Sequence, residues 1–128
     1  MQLVEYVGSE KMWAYFAHPI RTYNTLEEAS VIDALKRRGW RVVNPKDYSS
    51  QAANLTEQAG GGWLSCDVCM SKVMRPLFYR LLKKCGVFVH WNPFGTCGVE
   101  CEEVEARRLN KVICSVVVER EKVLVREQ

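Results

Sequence analysis

The feature that most constrains the fold is an alternation of short apolar runs with longer segments of helical period. Met12-Trp13-Ala14-Tyr15-Phe16-Ala17 is a strand-length run closed by His18-Pro19. "NTLEEASVIDALKRRG" then reads as a helix: Thr25 and Glu28 are spaced as a capping box, Ala29, Ile32 and Leu35 form one stripe, and Gly39 stops it. "WRVVNP" is a short strand that Pro45 terminates. From Met70, the residues Val73, Met74, Leu77, Phe78, Leu81 and Leu82 recur at helical spacing, with Pro76 as a kink or a second start. "GVFVHW" is a buried strand, 98–110 a helix and "KVICSVVVE" a strand. A turn at Arg120-Glu121 leads into a last strand, "KVLVRE". Strands that alternate with helices imply βαβ units and right-handed crossovers. The expected fold is therefore α/β: a three-layer, doubly wound domain of the flavodoxin or Rossmann kind, with a mainly parallel sheet of about five strands.

A chain of 128 residues forms one domain, spanning 1–128, with a real core. The region 46–66 lacks any period and contains Gly60-Gly61-Gly62, which suggests a flexible surface loop, with a closing lid as the alternative. The net charge of +3 is weak and its basic residues are scattered, which gives no footprint for a nucleic-acid polymer. No run approaches the ~20 apolar residues of a membrane span, and no signal-peptide pattern opens the chain, so a cytoplasmic location is expected. Six cysteines in that setting are reduced thiols rather than a disulfide framework. Cys66, Cys69, Cys97 and Cys101 have the makings of a four-thiolate zinc site. The second pair is loosely spaced, however, and buried or incidental thiols are the default. No metal or organic cofactor is expected.

In a sheet of this kind, ligands bind beyond the carboxyl ends of the strands. The segments there are 18–24, 44–47, 91–98 and the start of the last helix. That helix carries Glu100, Glu102, Glu103 and Glu105. At about 100° per residue, Val99, Ala106 and Leu109 define the stripe facing the sheet, and Glu102 falls within roughly 30° of its centre. Glu103 lies at the stripe's edge, while Glu100 and Glu105 point away to solvent. The helix dipole is expected to favour an ionised Glu102, suited to nucleophilic attack or to stabilising a developing cation. His18 at a strand end is a candidate for binding or acid catalysis. His90, inside an apolar strand, reads as a core histidine. Trp91 offers an aromatic face at the strand's carboxyl end, and one of Tyr15 and Phe16 lines the pocket while the other is core.

"WAYFAHPI", "GWRVVNP" and "GVECEEVEARRLNKVI" together resemble the nucleoside 2-deoxyribosyltransferase-like superfamily, which includes deoxynucleoside 5'-monophosphate N-glycosidases and small phage and bacterial proteins. The family's closing pattern of Gly, Glu, Ala and Lys is matched by Gly98, Glu102, Ala106 and Lys111. The resemblance implies that Glu102 attacks C1' of a deoxyribose and expels the base, and that the deoxyribosyl group then passes to water or to a second base. Thr96 and Gly98 match the phosphate-binding positions at the start of that helix. Arg21 is a further candidate for phosphate contact. Together with Tyr15, Asp47 and Trp91, these residues make up the expected substrate site. A homo-oligomer is also implied, for which the apolar 123–125 strand is a candidate surface. The departures are at Arg75-Pro76-Leu77-Phe78, which has no acid where many members carry an Asp, at Gly86 where an Asp is common, and at His18 where glycine is usual. Asp47 or Asp67 is left to supply the missing proton function. A nucleotide-binding module without turnover is the alternative function.

Overall fold

Residues 12–48 and 75–128 are described in the computed structural model. Five strands form one sheet in the order β2-β1-β3-β4-β5. They are β1 (Trp13–Ala17), β2 (Arg41–Val43), β3 (Val87–His90), β4 (Val112–Glu119) and β5 (Lys122–Glu127). The helices of the described residues are α1 (Leu26–Arg37), α2 (Arg75–Lys83) and α3 (Cys97–Arg108). β1 pairs in parallel with β2 and β3, and β3 with β4, while β5 runs antiparallel to β4. The protein is thus an α/β protein with a mixed, mostly parallel sheet. Of the expected loop at 46–66, residues 46–48 belong instead to a 3-10 turn (Pro45–Tyr48), and the rest, with the triple glycine, lies outside the described residues. So does the chain before Arg75, where the effect of Pro76 on the helix would be decided.

Alternation along β1 divides the core. Tyr15 and Ala17 join Phe88, Ile113, Leu77, Phe78 and Leu82 of α2, and Val99 and Ala106 of α3. Ala14 and Phe16 join Val87, Val89, Cys114, Val116 and Trp91, with Val31 and Leu35 of α1. Residues such as Leu35, Leu82 and Phe88 are fully buried, each worth about 2 kcal/mol of apolar transfer. Gly86 joins the inner strands: its N–H donates to Trp13 at 3.1 Å and its carbonyl accepts from Val112 at 3.2 Å.

The helix ends follow local rules. Gly39 adopts φ 91°, and the bonds from Gly39 N to Lys36 O (2.9 Å) and Trp40 N to Leu35 O (3.4 Å) close a Schellman motif. Asn110, at φ 57°, does the same for α3 through bonds to Arg107 and from Lys111 to Ala106. Arg120 and Glu121 both have positive φ, as a two-residue type I′ hairpin requires. The expected stripe on α1 is shifted. Val31 and Leu35 are buried and Ile32 is half-buried, but Ala29 is exposed and Glu28 takes the inward position. Among the described residues, no helix is long and apolar enough to cross a membrane.

Candidate functional site

Parallel pairing brings the carboxyl ends of β1, β2 and β3 to one edge of the sheet, and the segments leaving them form the walls of the site. After β1 the chain makes a 3-10 turn (Ile20–Thr22) and enters α1, and after β2 it makes another (Pro45–Tyr48). Buried Asn44 shapes the second turn: its Oδ1 accepts from Lys46 N at 3.0 Å and its carbonyl accepts from Asp47 N at 2.9 Å. After β3, Asn92 clasps the start of α3. Its Oδ1 accepts from Thr96 N at 2.8 Å and its Nδ2 donates to Thr96 O at 3.1 Å.

Glu102 is buried, and the Tyr15 hydroxyl donates to its Oε2. The two residues are 87 positions apart in sequence, and β1 and α3 supply one group each. Burial raises the Glu102 carboxyl from 4.5 to about 7, against the lowering effect of the Tyr15 bond. The expected stabilisation of its ionised form by the helix dipole is therefore outweighed. Glu102 is the sixth residue of α3, past the free N–H groups of the first turn, and desolvation dominates there. Tyr15 is fully buried, and burial followed by Glu102 keeps its phenol protonated well above its ordinary range.

The other glutamates sort mostly as expected. Glu100 is exposed, and Glu103 is half-buried with Arg107 at 2.8 Å. Glu105 departs from the expectation of a solvated position. It is buried, with its carboxylate accepting from Arg108 Nε at 2.7 Å. The arginine reaches over from solvent and lets the stem pack.

A second buried charge cluster lies on the same edge. The His18 side chain is fully buried, with Nδ1 2.9 Å from Phe16 O and Nε2 2.7 Å from Glu28 Oε2. A carbonyl only accepts, so the Nδ1 bond to Phe16 requires a proton on Nδ1. Glu28 Oε1 accepts from Asn24 N at 2.9 Å and from Lys46 Nζ at 3.2 Å. Burial acts to raise Glu28, but these bonds and His18 together hold it below its ordinary value. Burial pulls His18 below its ordinary value against the raising effect of Glu28. Its ring stacks on Phe16 at 3.8 Å and lies 6.4 Å from Trp91. With both nitrogens engaged and no exposed surface, His18 supports the wall of the site; it is not presented to a ligand, contrary to the expectation of a catalytic histidine.

The remaining predicted residues fall as follows. Trp91 is buried among Phe16, Val89 and their neighbours. Arg21 is exposed and covers the Phe94 ring at 4.6 Å, joining the segments after β1 and β3. Thr96 is the N-cap of α3 without a side-chain cap bond, and a Cβ placed on Gly98 would meet nothing within 4 Å. Asp47 is exposed on its turn. His90 is half-buried rather than a core residue, 3.8 Å from Glu103 and 3.3 Å from Gln128. Cys97 is exposed and Cys101 half-buried, whereas Cys66, Cys69 and Asp67 lie outside the described residues. Among the described residues, no three His, Cys, Asp or Glu groups are gathered to hold a metal.

Sequence reasoning missed Lys46, Tyr23 and the inward role of Glu28. Glu28 had a visible signal in its capping-box spacing. Its side chain, however, reaches the N–H of Asn24 and leaves that of Thr25 to Thr22 O, while Thr25 Oγ1 accepts from Glu28 N at 3.1 Å as expected. Tyr23 is half-buried, and its ring lies 5.1 Å from His18. Its phenol is kept neutral first by burial and then by Glu102, Glu28 and Asp47. Searches against protein-family models, curated proteins and solved structures found no match to this chain.

Proposed function

We propose that this chain cleaves the base–sugar bond of 2'-deoxynucleosides or their 5'-monophosphates, as an N-glycosidase or deoxyribosyltransferase with Glu102 as nucleophile. The observation that carries this reading is the buried Glu102 carboxyl, held by Tyr15 at the carboxyl edge of a parallel sheet. Tyr15 takes Oε2, which leaves Oε1 to attack C1'. As the C1'–Oε1 bond forms, the C1'–N bond breaks and its electron pair leaves with the base, which takes up a proton. In this reading exposed Asp47 relays that proton from water. Water or a second base then attacks C1' and releases Glu102, giving net retention through two displacements. The Tyr15 bond favours the ionised carboxylate that this attack needs.

A 5'-phosphate is assigned to the start of α3, with Thr96 and Gly98, where free N–H groups and an open Cβ position favour an anion. Arg21 is the nearby cation in this reading. The same reading takes the domain as three-layer and doubly wound, of the flavodoxin or Rossmann kind. The strand order and the two apolar clusters, one with α1 and the other with α2 and α3, support it. It further takes the protein as a cytoplasmic homo-oligomer.

One observation favours a second reading, a nucleotide-binding module without turnover. A carboxyl with a pKa of about 7 is largely protonated in mildly acidic solution, and a protonated carboxyl does not attack. The deciding experiment is release of free base from a panel of deoxynucleosides and their monophosphates at pH 6 and pH 8.5. Release that grows with pH and is abolished in Glu102→Ala supports the enzyme. No release from any substrate by folded protein at either pH leaves the binding module.

A further inference from the structure

Tyr23 is a half-buried phenol on the segment that leaves β1. Among the described residues its hydroxyl has no hydrogen-bond partner, whereas that of Tyr15 is bound to Glu102. The position is nevertheless fixed. Tyr23 N donates to Ile20 O at 3.0 Å, and the next residue, Asn24, is in the left-handed region at φ 63° with its N–H on Glu28 at 2.9 Å. The ring packs at 57° to that of His18, which Phe16 and Glu28 immobilise. Lys46 ties this segment to the turn after β2 by bonds to Asn24 Oδ1 (3.3 Å) and Glu28 Oε1 (3.2 Å). Carboxylates from three elements act on the phenol: Glu102 from α3, Glu28 from α1 and Asp47 from the second turn.

The stereochemistry of the proposed reaction says what such a group would meet. A nucleophile that displaces the base of a β-nucleoside approaches C1' from the face opposite the base. In a 2'-deoxynucleoside that face carries the 3'-hydroxyl, while the base and the 5' carbon project from the other. A phenol kept protonated by burial and by the charges of Glu102, Glu28 and Asp47 matches a sugar hydroxyl, which accepts from the phenol and donates to a carboxylate. It does not match a phosphate, which the same carboxylates repel.

We propose that Tyr23 is a specificity-determining residue that hydrogen-bonds the 3'-hydroxyl of the substrate, and that the His18–Glu28–Lys46 cluster is the support that holds it there. This rests on the proposed glycosidic function. The test compares wild type with Tyr23→Phe, which keeps the ring and its packing on His18, on a 2'-deoxynucleoside and on the matching 2',3'-dideoxynucleoside. The expected result is a loss of about tenfold to a hundredfold in kcat/KM on the first, and no loss on the second. An equal loss on both substrates, or none on either, overturns the proposal. If wild type releases base from neither these nucleosides nor their 5'-monophosphates, the glycosidic function fails, and the same four measurements are made on Kd by calorimetry with the same criteria. Absence of binding by both nucleosides overturns both readings.

Discussion

Glu102→Gln is expected to stabilise the protein, and only on the alkaline side. The buried carboxyl has a folded pKa of about 7, against an ordinary value of 4.5. A raised folded pKa means that the native state holds a proton which the unfolded chain gives up. Its contribution to stability is therefore intact below pH 4.5 and is lost as pH rises through 7. At about 1.4 kcal/mol for each pH unit between the two values, the loss is about 3 kcal/mol once both states are ionised. Glutamine keeps an oxygen for the Tyr15 hydroxyl but does not ionise, so the variant escapes this loss. The assay is denaturant unfolding of wild type and Glu102→Gln at pH 4.5 and pH 8.5. All other titrating groups cancel in the difference between the two proteins, which should move in favour of the variant by about 3 kcal/mol over this range. That corresponds to about 10 °C in Tm for a domain of this size. A difference that stays constant with pH would refute the argument, because it would mean that Glu102 ionises in the native state as it does in the unfolded chain. The predicted gain also measures what the fold gives up to keep a carboxylate in this position.

Three further outcomes follow from the same contacts. Tyr15→Phe removes the only influence shown to lower the Glu102 pKa, so its midpoint should rise above about 7, as followed by carbon NMR of a labelled Glu102 carboxyl. An unchanged midpoint would mean that the phenol is not bound there. Glu28→Gln leaves Lys46 and His18 without their anion and should cost about 3 kcal/mol in urea unfolding. Because the folded pKa of Glu28 is depressed, the stability it gives is present above pH 4.5 and lost as pH falls through the folded value. The variant should therefore lack that part of the wild-type acid limb.

The elements among the described residues and their order were legible in the sequence, because the signals for these are local. Period two in "WAYFA", period 3.6 in the segment holding Ile32 and Leu35, Gly39 after α1 and the Arg120-Glu121 turn each act within a few residues. All appear in the structure within a residue or two. The inward turn of Glu102 was also legible, since Val99 and Ala106 fix the buried face of α3 and the angle to Glu102 follows. Its charge state was not. The helix dipole is a property of the helix alone, whereas the desolvation that overrides it comes from β1 and the apolar cluster around Tyr15. The same limit explains Ala29 and Glu28: by hydropathy alanine belongs inside and glutamate outside. The order is reversed because His18 and Lys46, 10 and 18 residues away, wait for a carboxylate. Which polar groups meet is set by the packing of elements distant in sequence, and with it the pKa of Glu102 and the engagement of His18. Those outcomes depend on distances between strands and helices far apart in the chain, and no periodicity encodes such distances.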